Sequence, residues 1–257
     1  MKITFIGTSS GKATLNRNHS SLLFSSGKYN LFVDVGDGIS RALISNGINF
    51  NSINGILFTH LHPDHFSGLP ALIVQMKMIN RIEPLDVYIH DSLRNVVEEF
   101  LVRSYLLPER MGFEILYKTF RDNERSIISE GFSFLARKNS HLKNLEKFKT
   151  KYLSLSLYSA SFLFEAGNKK VIYTSDIGSE NDLFLFDEAI PDIFISEITH
   201  LSPTTILDNI ISLNPGTIYL THYSDDDVLA LGEILATLPA ELKEKVKLAE
   251  DGISFEI

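Results

Sequence analysis

The chain has 257 residues, a formal net charge of −8 and no cysteine. The missing cysteines exclude disulfides and thiolate metal ligands, and the negative charge argues against broad, nonspecific binding of nucleic acid. No apolar run reaches the roughly 18 residues that span a bilayer, so we expect a cytoplasmic protein without a membrane partner.

Short apolar runs separated by turn residues predict a strand-rich chain. The predicted strands are residues 3–6, 21–24, 31–35, 55–59, 87–90, 113–117, 132–136, 155–164, 170–174, 193–197, 217–221 and 254–257. Helical periodicity predicts helices at residues 66–78, 93–106, 203–213 and 225–237. This order favours two sheets packed face to face with helices outside over a doubly wound sheet. No linker rich in Pro, Gly or Ser interrupts it, so we predict one domain over residues 1–257.

The segment 59–65 (Thr-His-Leu-His-Pro-Asp-His) carries three imidazoles and one carboxylate between a predicted strand and a predicted helix. Such nitrogen and oxygen donors suit borderline-soft divalent metals, zinc above all. His60 and His62 project to the same side of an extended turn, and Asp64 and His65 follow on the next bend. The spacing therefore predicts two metal ions, one on each pair, and each ion needs further ligands.

Three later polar residues can supply these ligands, because each follows an apolar strand. They are His141, Asp176 and His222. Each is a weak signal alone, since a histidine after a strand is commonly a satisfied surface or core residue and an aspartate before Ile-Gly can be an ordinary turn residue. The prediction depends on their conjunction with the cluster at 60–65.

Together these residues resemble the metallo-β-lactamase fold superfamily, whose motif H-x-H-x-D-H precedes a His, an Asp and a His at strand ends. The resemblance implies an α/β fold, a four-layer αββα sandwich of mixed sheets with outer helices, and a binuclear metal site. It implies that His60, His62 and His141 hold one ion, that Asp64, His65 and His222 hold the other, and that Asp176 bridges both. We expect two divalent ions per chain, zinc in the first instance, with manganese as an alternative.

The segments 7–11 (Gly-Thr-Ser-Ser-Gly), 33–38 (Val-Asp-Val-Gly-Asp-Gly) and 66–70 (Phe-Ser-Gly-Leu-Pro) look like the ribonuclease Z branch of this superfamily. Glu197 and His200 stand where that branch has a Glu and a His-Ser-Thr turn that assist catalysis, although Leu201 alters the turn. The long arm with which ribonuclease Z grips tRNA is missing, because only 34 residues separate His141 from Asp176. The chain is therefore similar to armless bacterial and phage phosphodiesterases that cleave cyclic nucleotides, and relatives commonly form homodimers.

We predict a binuclear metal-dependent phosphodiesterase whose substrate is a small phosphodiester, expected to be a cyclic nucleotide. A phage enzyme of this kind would degrade an antiviral nucleotide signal. In this prediction Asp64 orients the attacking water and accepts its proton, while His200, held by Glu197, protonates the leaving group. Extended nucleic acid is not an expected partner.

Three alternatives stay open. The first is ribonuclease Z-type cleavage of tRNA 3′ ends, with a basic surface built from the lysine-rich segment 142–151. The second is hydrolysis of a lactone, thioester or β-lactam by the same metal pair, and the third is a noncatalytic binding module that keeps the fold. The segment 142–151 itself reads either as a solvated face or as a mobile flap over an anionic substrate.

Overall fold

The structure is a computed structural model that describes all residues from 1 to 257. Its strands are β1 Lys2–Gly7, β2 Ser21–Ser26, β3 Tyr29–Val33, β4 Gly55–Leu57, β5 Leu85–His90, β6 Ile115–Phe120, β7 Arg125–Ser129, β8 Phe132–Lys138, β9 Ala160–Ala166, β10 Lys169–Tyr173, β11 Ile193–Glu197, β12 Thr217–Thr221, β13 Val246–Leu248 and β14 Ser254–Glu256. Its α-helices are α1 Ile39–Ser45, α2 Pro63–Phe66, α3 Leu69–Met78, α4 Arg94–Arg103, α5 Pro203–Ile210, α6 Val228–Thr237 and α7 Ala240–Lys245. No helix combines the length and apolar character needed to cross a bilayer.

The first compact unit comprises Met1–Arg121 and Asp251–Glu256. Its seven-stranded sheet has the order β14-β1-β2-β3-β4-β5-β6, with antiparallel pairs from β14 to β3 and parallel pairs from β3 to β6. Helix α3 buries Leu69, Leu72, Ile73 and Met76. This spacing of three, four and seven residues forms the apolar stripe of an amphipathic helix.

The second compact unit comprises Asp122–Glu250 and Ile257. Its sheet also has seven strands, in the order β13-β12-β11-β10-β9-β8-β7, with parallel pairs from β13 to β10 and antiparallel pairs from β10 to β7. Every residue of β11 is buried, as in a parallel strand covered on both faces. The same pattern of strands therefore occurs in both units. The prediction of one domain over residues 1–257 stays a prediction.

The predicted helix over 66–78 is broken in two. Helix α2 ends at Phe66 and α3 begins at Leu69. Between them the Gly68 N–H donates to the Val35 carbonyl oxygen at 2.9 Å, and a Cβ on Gly68 would lie 2.2 Å from the Gly36 carbonyl oxygen. Glycine is required here because the two backbones approach so closely.

Three other predicted elements differ from the structure. The predicted strand 155–164 is wrong at its start, because β9 begins only at Ala160. Its pairing with β8 starts at Lys138 opposite Ala160, and the next interaction is a loop hydrogen bond from Asn139 N–H to the Ser159 carbonyl. The predicted helix 203–213 ends in a 3-10 turn at Ile211–Leu213, after the α-helix α5. The predicted helix 225–237 begins with a 3-10 turn at Asp225–Asp227, before the α-helix α6.

Candidate metal centre

The early cluster, which consists of His60, His62, Asp64 and His65, lies in the first unit directly after β4. His60 and His65 are fully buried, whereas His62 and Asp64 are partly exposed. His62 is the last residue before α2, and Pro63 occupies the first helical position, where its missing N–H costs nothing. The strand end and the proline-started helix thus hold the four side chains in one short turn.

The ligand atoms of the early cluster have spacings that suit shared metal ions. His60 Nε2 lies 3.1 Å from His62 Nδ1, and His65 Nε2 lies 3.6 Å from Asp64 Oδ2. Bonds of about 2.0–2.1 Å in tetrahedral geometry separate two ligand atoms by about 3.3 Å. Each pair therefore has the spacing of two ligands on one ion, and the pairing is the one predicted from the sequence.

Asp34 positions His65, a role that the sequence did not reveal. The carboxylate is fully buried and accepts hydrogen bonds from Thr59 N–H and Thr59 Oγ1, both at 2.8 Å. Its Oδ2 lies 2.7 Å from His65 Nδ1. A proton on Nδ1 leaves Nε2 as the electron-pair donor, which is how outer carboxylates orient metal-binding histidines. Burial raises the pKa of Asp34, and its contacts with His65 and Thr59 oppose this only in part.

The later cluster, which consists of His141, Asp176 and His222, lies in the second unit. His141 follows β8, Asp176 follows β10 and His222 follows β12. Asp176 and His222 are buried, and the His141 side chain is only 6% exposed. The predicted placement of each residue at a strand end is therefore confirmed.

Asp176 faces two different histidines with its two oxygens. Oδ2 lies 3.6 Å from His141 Nε2, and Oδ1 lies 3.4 Å from His222 Nε2. Both spacings again match two ligands on one ion, and each uses a separate carboxylate oxygen. A carboxylate with this arrangement can bridge two ions.

The backbone turns sharply where the strands deliver these residues. Asp34, Ser175 and His222 have φ values of 62°, 54° and 62° and follow the ends of β3, β10 and β12. A residue other than glycine in this region costs on the order of 1–3 kcal/mol, and such residues concentrate at functional sites. The same left-handed backbone conformation therefore turns the chain shortly after the ends of three strands.

Asn139 and Asp182 fix the loop that carries His141. Asn139 donates to the Asp176 carbonyl oxygen at 2.9 Å and accepts from His141 N–H at 3.3 Å, so one amide joins two candidate ligands. The Asp182 carboxylate accepts from the N–H groups of Ser140 and Gly178 and from the Ser140 hydroxyl. These contacts tie the ends of β8 and β10 together.

Glu197 ends β11 as a buried carboxylate and contacts His200. Its Oε1 lies 3.0 Å from His200 Nδ1, and its Oε2 accepts from His200 N–H at 3.0 Å. The His200 side chain is 35% exposed, and its ring centroid lies 4.7 Å from that of His141. His200 is therefore held by Glu197 beside a candidate metal ligand while part of its ring stays accessible.

Thr199 is a second residue that the sequence did not single out. Its hydroxyl donates to the His222 carbonyl oxygen and lies 3.1 Å from His222 Nδ1. A hydroxyl that donates elsewhere can accept the Nδ1 proton, which leaves His222 Nε2 toward Asp176. Thr199 thus does for His222 what Asp34 does for His65.

The structure brings the early cluster together within the first unit, and His141, Asp176, His222, Glu197 and His200 together within the second. The donors are all imidazole nitrogen or carboxylate oxygen, which suits zinc and also manganese or iron. The joining of the two clusters into one binuclear site stays a prediction.

The comparisons with known proteins agree with this architecture. The family model described as "Anti-Pycsar protein Apyc1" matches residues 1–230. The ribonuclease Z of Methanothermobacter thermautotrophicus is 44% identical over 89 residues, which are 34% of this chain and 29% of that protein. The chain aligns with 29% to 44% of the length of the first four ribonuclease Z relatives.

Two solved structures share the fold over the whole chain. The short form of human tRNase Z has a TM-score of 0.74 at 19% identity and covers 100% of this chain and 99% of its own. The Zn²⁺-bound PqqB of Methylobacterium extorquens has a TM-score of 0.72 at 14% identity, with 100% of both chains covered. These likenesses confirm the predicted metallo-β-lactamase fold with its two mixed sheets and helices. The family model and the ribonuclease Z relatives confirm the predicted ribonuclease Z-like branch. Because the family model covers most of its length, the chain belongs to the anti-Pycsar protein Apyc1 family.

Proposed function

We propose that this protein is a binuclear metal-dependent phosphodiesterase that hydrolyses a small phosphodiester, with a 3′,5′-cyclic nucleotide as its substrate. The observation that carries the proposal is the orientation of Asp176, whose two oxygens lie 3.6 and 3.4 Å from the Nε2 atoms of His141 and His222. A carboxylate whose two oxygens each face a different imidazole suits a pair of ions better than a single one. Membership of the Apyc1 family supports the same class of chemistry.

In this proposal His60, His62 and His141 hold one ion, Asp64, His65 and His222 hold the other, and Asp176 contacts both. Two divalent ions would acidify a bound water and stabilise the negative charge that develops on the phosphate. Zinc is the expected metal, because imidazole and carboxylate donors suit it and PqqB of the same fold is Zn²⁺-bound. Manganese is the alternative to test.

Asp64 and His200 perform the proton transfers in the proposed mechanism. The Asp64 side chain is 13% exposed, so it can contact a water or substrate while its Oδ2 faces His65. His200 donates its proton to the departing alkoxide. Its Nδ1 is engaged by Glu197 at 3.0 Å, which leaves Nε2 as the atom that reaches the leaving group. Glu197 positions the ring and offsets the charge of the imidazolium.

A small substrate fits the chain better than a folded RNA. The residues between His141 and Asp176 contain β9, β10 and a 3-10 turn at Lys143–Phe148, which leaves no long inserted arm. The net charge of −8 also opposes a broad polyanion. A cyclic nucleotide carries a single phosphodiester charge and requires no extended basic surface.

The test is hydrolysis of a panel of 3′,5′-cyclic nucleotides and of bis(p-nitrophenyl) phosphate by protein loaded with zinc or manganese. Turnover of at least one cyclic nucleotide is expected, and His62→Ala should abolish it. His90→Ala is the matched control, because His90 contacts Ser92 and Asp91 and belongs to neither cluster. Failure to hydrolyse any member of the panel with either metal would end the proposal.

Ribonuclease Z-type cleavage is the second candidate, since the 89 matched residues are 44% identical to an archaeal ribonuclease Z. Incubation with a precursor tRNA separates the two: trimming of the 3′ end with no turnover of cyclic nucleotides would favour this candidate.

Two further parts of the proposal concern assembly and location. We expect a homodimer in solution, with a mass by light scattering of twice the chain mass of 28.9 kDa. We also expect the protein in the cytoplasm, which fractionation of cells that produce it would test.

A further inference from the structure

A pocket of about 260 Å³ lies in the second unit, on the loop that carries His141 but apart from the candidate ligands. Its lining residues are Lys138, Asn139, Ser140, Leu142, Lys143, Glu146, Leu157, Ser159 and Asp182. None of the candidate metal ligands lines it, nor do Glu197 and His200. Its volume lies just below the range for drug-sized ligands, about 300–1,000 Å³, so it suits only a compact molecule.

The buried carboxylate in the wall of this pocket, Asp182, has its hydrogen-bonding positions occupied by the chain itself. The Asp182 carboxylate is 6% exposed and accepts hydrogen bonds from three backbone N–H groups, those of Ser140, Gly178 and Ser179, and from the Ser140 hydroxyl. Hydrogen bonds from so many donors stabilise the ionised carboxylate and occupy its oxygens. Asp182 therefore shapes the wall from behind its surface, with its oxygens already engaged by the chain.

The basic side chains of the pocket have no such partners. Lys138 and Lys143 are exposed, and neither ammonium group forms an ion pair or a hydrogen bond with another residue of the chain. The lining also contains two carboxylates, of which Glu146 is exposed and Asp182 is buried. Two free ammonium groups against one exposed carboxylate give this rim a net positive charge.

The inner wall combines an apolar surface with a polar atom that lacks a partner. Leu142 and Leu157 are partly buried and supply the apolar surface. Ser159 is 1% exposed, and its hydroxyl is buried without a hydrogen-bond partner. Burying a polar group without a partner is unfavourable, so a ligand group that forms a hydrogen bond with this hydroxyl gains affinity.

We propose that this pocket binds a small organic anion, a phosphate-type or carboxylate group on a compact apolar body. The anionic group contacts Lys138 and Lys143, the apolar body packs between Leu142 and Leu157, and a polar atom pairs with Ser159. Asn139 also lines the pocket and holds both His141 and Asp176, so a bound anion stiffens the wall from which two candidate metal ligands extend. The site is separate from the proposed phosphodiesterase chemistry and does not depend on it.

The test is isothermal titration of the metal-loaded protein with phenylphosphonate, benzoate and inorganic phosphate. Phenylphosphonate and benzoate distinguish the two anionic groups, and inorganic phosphate measures what the apolar body contributes. We expect at least one aromatic anion to bind with a Kd in the millimolar range or tighter, and inorganic phosphate to bind at least several-fold more weakly than that anion.

Variants locate the binding. The double variant Lys138→Gln/Lys143→Gln should raise the Kd at least tenfold, and Ser159→Ala should raise it about two- to tenfold, the equivalent of one hydrogen bond. Lys149→Gln is the matched control, because Lys149 is an exposed lysine of the same segment outside the pocket lining. Equal binding by the double variant and the control would mean that the anion sits elsewhere, and no binding of either aromatic anion at about 10 mM would equally overturn the proposal.

Discussion

Replacement of Asp34 by asparagine is the sharpest single perturbation of the early cluster. The substitution keeps the size of the side chain and replaces one carboxylate oxygen with an NH₂ donor. Asp34 Oδ2 faces two donors, Thr59 Oγ1 at 2.8 Å and His65 Nδ1 at 2.7 Å. If the amide nitrogen takes this place, His65 must carry its proton on Nε2, and that atom can then no longer bind a metal ion.

The structure sets the expected magnitude. Loss of an outer partner of a metal-binding histidine costs 10- to 100-fold in metal affinity, and this equals about 1.4–2.8 kcal/mol. Asp34 contacts His65 directly, and it reaches His60 only through the Thr59 hydroxyl, which lies 3.0 Å from His60 Nδ1. Affinity for the zinc ion assigned to His65 should therefore fall by this amount, and affinity for the other ion should fall by less.

Competition with a chromogenic zinc chelator measures both affinities. Asp37→Asn is the matched control, because Asp37 is an exposed aspartate of the same loop and should bind zinc like the wild type. Thermal unfolding of the metal-free proteins separates a folding defect from a binding defect. A zinc affinity of Asp34→Asn within twofold of the control, for both ions, would refute the role assigned to Asp34.

Three further outcomes follow from particular contacts. Gly178→Ala should destabilise the protein by about 1–3 kcal/mol in urea unfolding, because the new Cβ would lie 2.4 Å from the Ser140 carbonyl oxygen. Gly232→Ala is the control: it lies in the open middle of α6 and should stabilise the protein by up to about 1 kcal/mol. Equal effects of the two substitutions would contradict the packing described for the His141 loop. Burial raises the pKa of Asp251 above its ordinary value, so the folded state retains that proton as the pH rises from about 4. The stability of the wild type relative to Asp251→Asn should therefore fall as the pH rises above about 4, and a wild-type Tm that instead rises relative to the variant would contradict this sign. His200→Ala should lower kcat toward the best cyclic nucleotide about 10²- to 10⁴-fold with unchanged zinc content, and an unchanged kcat would remove His200 from the mechanism.

Most residues of the two candidate clusters could be predicted because each carries a signal in its own stretch of sequence. The early cluster is compressed into residues 60–65, and the later residues each follow an apolar strand. Asp34 also follows an apolar strand and lies in the segment 33–38, but nothing in the sequence links it to His65, and Thr199 carries no local signal at all. Asp34 contacts His65 from 31 positions away, and Thr199 contacts His222 from 23 positions away, so only the fold brings these pairs together.

The fold was predictable where strands are buried and less so at sheet edges. Strands such as β11 read as continuous apolar runs because both faces are covered. The strands that were missed, β7 and β13, form the two edges of the second sheet and contain exposed residues such as Arg125 and Lys247. Edge strands tolerate charge, and this hides them from an apolar pattern.

The break between α2 and α3 shows a third kind of limit. The apolar periodicity of residues 66–78 does not indicate it, although Pro70 favours the first turn of a helix over its interior. At the break Gly68 contacts the backbone of Val35 and Gly36, which lie more than 30 positions earlier. The sequence records this interruption only as Gly68 and Pro70, and the backbone contact itself is visible only in the fold.

The most direct test of the central claim is the number of metal ions per chain, measured by mass spectrometry of zinc-reconstituted, desalted protein. We expect two ions for the wild type and for His90→Ala. We expect a loss of at least one ion for His62→Ala in the first unit and likewise for His141→Ala in the second, because both residues are assigned to one shared ion. A single ion in the wild type, or two ions retained when His141 is replaced, would contradict the claim that the early and later clusters build one binuclear centre.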